Sequence, residues 1–229
     1  INAAGRMGSA DKAVRLLLEE DAAQAASLAQ EIQQMNVERQ TVEQDILRQV
    51  EQQLLAHPAW LTQRVLVISG DHWHHGVVGI IAARITERYG KPCIILSQDE
   101  DKARGSGRSI KGFSLFEALQ SCADMLLNYG GHELAAGVTV AADRVDEFRE
   151  RINRYAAQQF PHMPVPELTI DCKLRPSQVD VEKLSLLAAL EPTGAGNPAP
   201  LFGLFRMRLD NIRACDAASF KILDSVYLS

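Results

Sequence analysis

The sequence predicts an α/β layered protein, with a long helix ahead of the sheet-forming region and a short β-rich unit behind it. Three observations carry that prediction. Val65-Leu66-Val67-Ile68 and Cys93-Ile94-Ile95-Leu96 are continuous apolar runs, as strands buried on both faces are, with helix-spaced residues 77–89 between them. From 22 to 55, Leu28, Ile32, Met35, Val42, Ile46 and Val50 recur at helical spacing among Glu, Gln and Arg. Pro161, Pro164 and Pro166 then crowd into one short stretch, which marks a domain boundary.

Composition agrees with a globular fold. The chain has 229 residues, 46% of them hydrophobic and 23% charged, enough apolar mass for a real core. Intrinsic disorder and low-complexity fibres are excluded. No stretch approaches twenty consecutive apolar residues, so no membrane-spanning helix is predicted. Ile1 to Met7 lack the basic-then-apolar pattern of a signal peptide, and the missing initiator Met suggests a piece cut from a longer chain. The net charge of −5 excludes a uniformly basic coat but leaves room for a local basic stripe. Cys93, Cys122, Cys172 and Cys215 form no CxxC pair, so zinc-ribbon and dithiol motifs are absent and free thiols in a reducing cytoplasm are expected.

The elements follow in order. Residues 11–20 have helical periodicity, with Ser9 or Asp11 as N-cap. The 22–55 helix would span about 50 Å at ~1.5 Å per residue. A coiled-coil dimer and a bridge between domains both suit its narrow seam. The short heptad run and unpatterned flanking charges favour the bridge. The helix is expected to stop before Pro58, and residues 65–96 form a βαβ unit with parallel strands and Gly90 as helix C-cap. Residues 115–127 read as a helix, Val138-Thr139-Val140 as a strand, and 143–160 as an amphipathic helix capped by Asp143. Past the prolines, Leu168-Thr169-Ile170 alternates like a strand, 179–190 is helical, 191–198 is a turn-rich loop, and 205–212 alternates like an antiparallel strand. Two or three strands cannot close a barrel, so this last unit is expected to be incomplete.

Three constellations could carry chemistry. In Arg104-Gly105-Ser106-Gly107-Arg108-Ser109, an extended backbone sends Arg104, Ser106 and Arg108 to one face, where two guanidinium forks and a hydroxyl match phosphate oxygens. The glycines would let the backbone approach a ligand, and a solvated loop is the alternative. In Tyr129-Gly130-Gly131-His132-Glu133-Leu134-Ala135-Ala136-Gly137, paired glycines ahead of a short helical stretch would offer N–H groups to an anion, with His132 as a further donor. A structural tight turn is the alternative there, and the missing second His excludes a zincin motif. Gly70-Asp71-His72-Trp73-His74-His75-Gly76-Val77-Val78-Gly79-Ile80 follows the first buried strand, where α/β sheets place ligands. Its histidines point in different directions and Asp71 is the nearest carboxylate, so polar lining of a site or domain interface is favoured over a metal centre. Gly76 and Gly79 alone are weak evidence for a dinucleotide.

Together, Trp73-His74-x-Gly76-Val77-Val78-Gly79-Ile80-Ile81-Ala82, Gly105-Ser106-x-Arg108-Ser109 and Gly130-Gly131-His132-x-x-Ala135-Ala136-Gly137 resemble the DHHA1 domain of the DHH phosphoesterase superfamily. Ile1-Asn2-Ala3-Ala4-Gly5-Arg6-Met7 and Asn36-x-Glu38-Arg39-Gln40 narrow the resemblance to the RecJ family of bacterial single-stranded-DNA-specific exonucleases. Pro192-x-Gly194-x-Gly196-Asn197-Pro198-x-Pro200 is similar to the segment by which that family enters its OB-like domain. The similarity covers residues 1 to about 205, and the sequence departs from the family pattern after about Leu209.

The resemblance implies a DHHA1-type layered domain with a mixed sheet, preceded by a long connector helix and followed by a partial OB-like β domain. It divides the chain into the tail of a DHH domain (1–10), a helical connector (11–57), a DHHA1 substrate-binding domain (58–162) and the start of an OB-like domain (163–229). It implies 5′→3′ digestion of single-stranded DNA in repair and recombination, with Mn²⁺ or Mg²⁺ held by a DHH domain expected ahead of Ile1. Asp71-His72-Trp73 nearly spells the Asp-His-His signature, but Trp73 breaks it, so no metal ligand or catalytic residue is assigned here and the chain alone is expected to be inactive. Arg104, Gly105, Ser106, Arg108, Ser109, Gly130, Gly131 and His132 are expected to grip DNA phosphates opposite the metals, with His74 lining the same cleft. Expected partners are single-stranded DNA, a single-strand-binding protein and a helicase, around a cytoplasmic monomer. The alternatives are a small-substrate phosphodiesterase acting on nanoRNA or cyclic dinucleotides, and a non-catalytic DNA-binding scaffold that dimerises through the long helix.

Overall fold

A computed structural model of the chain describes residues 1–165 and 167–205. The chain divides into two compact units, the first ending at Pro166 and the second beginning at Glu167. The first unit opens with three helices, α1 (Asn2–Met7), α2 (Asp11–Leu18) and α3 (Ala22–Ala56). The first has six residues, too few to show periodicity in the sequence. The N-cap of α2 is Ala10, without a side-chain cap, so neither Ser9 nor Asp11 takes the expected capping role, although Ser9 Oγ accepts the Asp11 N–H (3.1 Å). Asp21 caps α3 by accepting from Gln24 N (2.8 Å). The seam of α3 is used within the chain. Ile32 and Met35 pack on Ala4 and Ala13 at one end, and Ile46, Val50 and Leu54 pack on the sheet layer at the other.

The sheet is built from β1 (Leu66–Asp71), β2 (Cys93–Asp99), β3 (Lys102–Arg108), β4 (Leu126–Gly131) and β5 (Ala135–Ala141), in the order β1-β2-β3-β5-β4. It is mixed. β1 and β2 run parallel through the helix α4 (His75–Tyr89), whose C-cap Gly90 takes the left-handed conformation, and the other neighbours are antiparallel. Helix α5 (Leu115–Gln120) ends well short of 127, because Ser121 and Cys122 lead into a 3₁₀ turn and then the strand β4. Helix α6 (Val145–Gln159) starts after Arg144 with no side-chain cap, and Asp143 sits in the 3₁₀ turn ahead of it, so the expected Asp143 cap is not formed.

The two faces of the sheet are covered unequally. On one, α5 and α6 bury Val65, Val67, Ile94, Leu96 and Ala103 together with Ala136, Val138 and Val140, so this layer runs from β1 to β5. On the other, α3 and α4 bury Leu66, Ile68, Cys93 and Ile95, and no residue of β4 or β5 joins that cluster among the described residues. Strand β1 lies at the sheet's edge, and side chains take the place of a further strand there. Asn153 Oδ1 accepts from Arg64 N and Val65 N (both 2.9 Å), and Asn153 Nδ2 donates to Val65 O (2.9 Å). Arg149 Nε donates to Val67 O (2.9 Å) and Gln53 Nε2 to Ser69 O (2.9 Å).

In the second unit, β6 (Cys172–Leu174) pairs in parallel with β7 (Phe202–Leu204), with α7 (Val181–Ser185) and a 3₁₀ helix over Leu186–Leu190 between them. The strand expected at 168–170 forms later, at β6, where Asp171 N reaches Leu201 O (2.9 Å). Of the strand expected at 205–212, all but Phe205 lies outside the described residues. Cys93 and Cys122 are buried free thiols, and Cys172 is an exposed one.

Candidate nucleic-acid interface

The site is laid out on β3, the strand where the covered half of the sheet ends. Gly105 and Gly107 turn one way and Arg104, Ser106 and Arg108 the other. The packing of the sheet itself requires both glycines. A Cβ on Gly105 would lie 1.8 Å from the Ile95 carbonyl oxygen, and one on Gly107 would lie 2.6 Å from Leu115. Ser106 and Arg108 reach toward α4, where a Cβ on Gly79 would stand 3.2 Å from an Arg108 Nη and 3.4 Å from Ser106 Oγ. Arg108 is half-buried and donates through Nη1 to Ser106 Oγ (2.9 Å) and to the Gly107 carbonyl (2.8 Å). Thr86 Oγ1 ties α4 to the Arg108 carbonyl (3.3 Å).

Burial, and then the positive charge of Arg6, hold the Arg108 guanidinium below its ordinary pKa. Arg6 is the residue that sequence reasoning missed. It arrives from α1, whose end rests on the start of α4 so closely that a Cβ on Gly76 would strike the Arg6 carbonyl oxygen at 2.0 Å. Arg6 Nη1 in turn donates to Gly76 O (3.4 Å). Neither Arg6 nor Arg108 makes an ion pair among the described residues, so the influence of one positive charge on the other is not offset by a paired carboxylate. Nothing local in the sequence signals this, because proximity across more than a hundred residues is a product of the fold.

Arg104 lies at the other end of the row. It shares a hollow of about 440 Å³ with His72, His75, Asp99, Glu100, Asp101, Lys102 and Thr139. His72 Nδ1 and His75 Nε2 each meet one oxygen of Asp99, at 3.2 and 3.1 Å. The acidic turn at 99–101 opposes anions there, so the field along β3 favours the Arg108 end.

Strand register brings the glycine segment beside this row. Ser106 pairs with Gly137, and Gly137 with Gly130. Arg108 pairs with Ala135, whose carbonyl accepts from His132 N (2.7 Å), so His132 comes to the Arg108 end of the sheet. Residues 129–137 are thus a β-hairpin. The expected helix start is corrected: Gly131, at φ +148°, is where a Cβ would meet the Ala135 carbonyl oxygen at 2.3 Å. Gly130 has nothing within 4 Å of where its Cβ would be. Beyond α4, this half of the sheet is a shelf floored by Gly137, Gly130, Thr139 and Asn128, with exposed His132 at its rim.

The remaining candidates have fixed structural partners. Ser109 Oγ donates to the Phe113 carbonyl (2.7 Å), so its hydroxyl proton is committed within its loop. His74 is the N-cap of α4 and accepts from Gly76 N through Nδ1 (3.1 Å), which puts its proton on Nε2 as a donor. Trp73 is buried against Gly70 and donates to Gln49 Oε1 (2.9 Å), anchoring the histidine loop. Among the described residues no group of three or more His, Cys, Asp or Glu could hold a metal ion.

Two family models match the chain, the DHHA1 domain over residues 61–158 and the RecJ OB domain over 170–222. The chain is 38% identical over 226 residues to the single-stranded-DNA-specific exonuclease RecJ of Bacillus subtilis, covering 95% of this chain and 28% of that protein. It is 41% identical over 205 residues to the RecJ of Thermus thermophilus, covering 90% of this chain and 29% of that protein. The crystal structure of Thermus thermophilus RecJ in complex with Mn²⁺ matches with a TM-score of 0.76 at 40% identity, over 89% of this chain and 30% of that one. A Mg²⁺ complex of the same protein matches with a TM-score of 0.73 at 39% identity, over 88% of this chain and 31% of that one. The chain therefore spans about three tenths of the length of these relatives. With a DHHA1 domain and a RecJ OB domain in succession, and a solved RecJ structure matching nearly nine tenths of it, the chain belongs to the RecJ family.

Proposed function

We propose that this chain is the strand-gripping part of a single-stranded-DNA-specific exonuclease. The observation that carries the reading is that Arg6 and Arg108, from distant parts of the chain, both come to the first turns of α4, at Gly76 and Gly79, next to Ser106 and with no ion-pair partner among the described residues. A phosphate between them would relieve their repulsion and take charge-assisted hydrogen bonds from both. From there the strand would follow the open shelf past Ser106 and the Gly137–Gly130 row, with His132 at the rim and Nε2 of His74 as a further donor. Arg104 contributes less, because the acidic turn offsets it. Residues 58–162 are read as the gripping domain, 11–57 as its connector, and 163–229 as the beginning of an OB-like module.

The RecJ structures that match were solved with Mn²⁺ or Mg²⁺. The described residues of this chain do not fit such an ion. His72 and His75 both turn to Asp99, and no further ligand joins them. The contribution of this chain is to bind and orient the strand, with the ions held by residues outside it. Digestion from the 5′ end, a place in repair and recombination, and a reducing cytoplasm complete the reading, the last in keeping with the free thiols.

Titration of a fluorescent single-stranded oligonucleotide across salt concentrations tests this. If about three phosphates are neutralised, log K falls against log salt with a slope of about −2. A slope near zero, or one that Arg6 and Arg108 substitutions leave unchanged, overturns the reading.

A further inference from the structure

A second cleft adjoins the Arg6–Arg108 pair, and its most buried charge has no part in the reading above. It is a hollow of about 500 Å³ between α1, α3 and α4, lined by Asn2, Arg6, Gln33, Asn36, Arg39 and Ile80 among others, with no acidic residue among those lining it. Its volume falls in the range of small-molecule sites. Arg39 is held from two sides. Nε and Nη2 donate to Asn36 Oδ1 at 3.3 and 3.2 Å, and Nη1 donates to Glu43 Oε2. Only 16% of the Arg39 side chain is exposed, and only 2% of Glu43. Glu43 Oε1 also lies 2.6 Å from Arg84 Nη2, close enough for an ion pair but without the alignment of a hydrogen bond.

A buried carboxylate is expensive to keep and adds little net stability as half of an ion pair. What it does achieve here is to fix a guanidinium in one orientation with N–H groups to spare, the way a supporting shell preorganises a binding group. One Glu also faces two arginines, so the Arg39–Glu43–Arg84 group beside the cleft keeps a net positive charge, to which Arg6 in the lining adds its own.

We infer that this cleft is a nucleotide subsite continuous with the Arg6–Arg108 pair. Arg39 takes the phosphate of the neighbouring nucleotide, the amides of Gln33 and Asn36 together with Ile80 face its base, and Glu43 is a positioning residue. The inference rests on the reading of Arg108 as a phosphate contact. It adds that the strand turns off the sheet toward the long helix.

Thymidine nucleotides with a 5′-phosphate, one and two residues long, test it by calorimetry on the 229-residue chain. The dinucleotide should bind more tightly than the mononucleotide. Arg39→Ala should remove about tenfold of that gain, the size of one charged hydrogen-bond contact, and leave the mononucleotide unchanged within about twofold. Glu43→Gln should lose a similar share of the gain, whereas Arg84→Ala should keep it, which separates positioning of Arg39 from a general role of the ion network. If Arg39→Ala preserves the full gain while Arg108→Ala weakens both ligands, the subsite is overturned and the grip on the sheet stands. If Arg108→Ala changes neither ligand, the grip fails and the subsite with it.

Discussion

The two halves of the five-stranded sheet obey different rules. Under β1 and β2 both faces are packed, and Ile68, Ile94, Ile95 and Leu96 have no exposed surface. Across β5 and β4 one face is packed by α5 and α6 while the other is left to glycine, threonine and asparagine. Strand β3 is the seam between these regimes. The covered half holds the molecule together, and the open half presents a polar floor that a polyanion can approach. Stability and binding should therefore respond to different substitutions.

The largest effect is expected in the covered half. Ile68→Ala removes a fully buried side chain beneath α3 and α4, and urea unfolding should show a loss of about 2–5 kcal/mol, with DNA affinity of the folded protein little changed. Next comes Arg108→Ala, which should weaken oligonucleotide binding by about 1.5–3 kcal/mol and make the salt slope shallower by about 0.7. Its unfolding midpoint should stay close to that of the parent. Gly137→Val sharpens the contrast. A Cβ there meets nothing nearer than 3.9 Å, so stability should move by less than about 1 kcal/mol, yet the branched side chain would stand on the shelf and reduce affinity severalfold. The smallest effects belong to Arg104→Ala, beside the acidic turn, and His132→Ala, at the rim, each below about 1 kcal/mol of binding in the same titration. A loss for Arg104→Ala as large as that for Arg108→Ala would break the proposed polarity of the row.

The same division governs what could be read from the sequence. Strands β1 and β2 are legible because burial on both faces makes them unbroken apolar runs, and α4 is legible from its spacing and Gly90. Strands β3 and β4 are harder. Lys102–Arg108 buries glycine and alanine where a strand would ordinarily show branched side chains, and Gly130-Gly131 suits a helix start as well as a hairpin until the pairing with Gly137 and Ala136 is seen. The row of Arg104, Ser106 and Arg108 followed from strand alternation alone. The arrival of Arg6 and Arg108 at the same end of α4, and the burial of Glu43 behind Arg39, depend on how α1 and α3 pack on α4. A helix of six residues carries too little periodicity to announce that.

The dressed edge of β1 has a consequence for biosynthesis. Asn153, which satisfies the backbone of Val65, lies 88 residues downstream of it. At synthesis rates of roughly 5–20 residues per second, β1 and β2 leave the ribosome seconds before the helix that shields their outer rim. During that interval a hydrophobic strand with unpaired amides and carbonyls is open to a neighbouring nascent chain. Helix α6 thus acts as a late-arriving guard, and truncation ahead of it should favour aggregation over a smaller soluble fold.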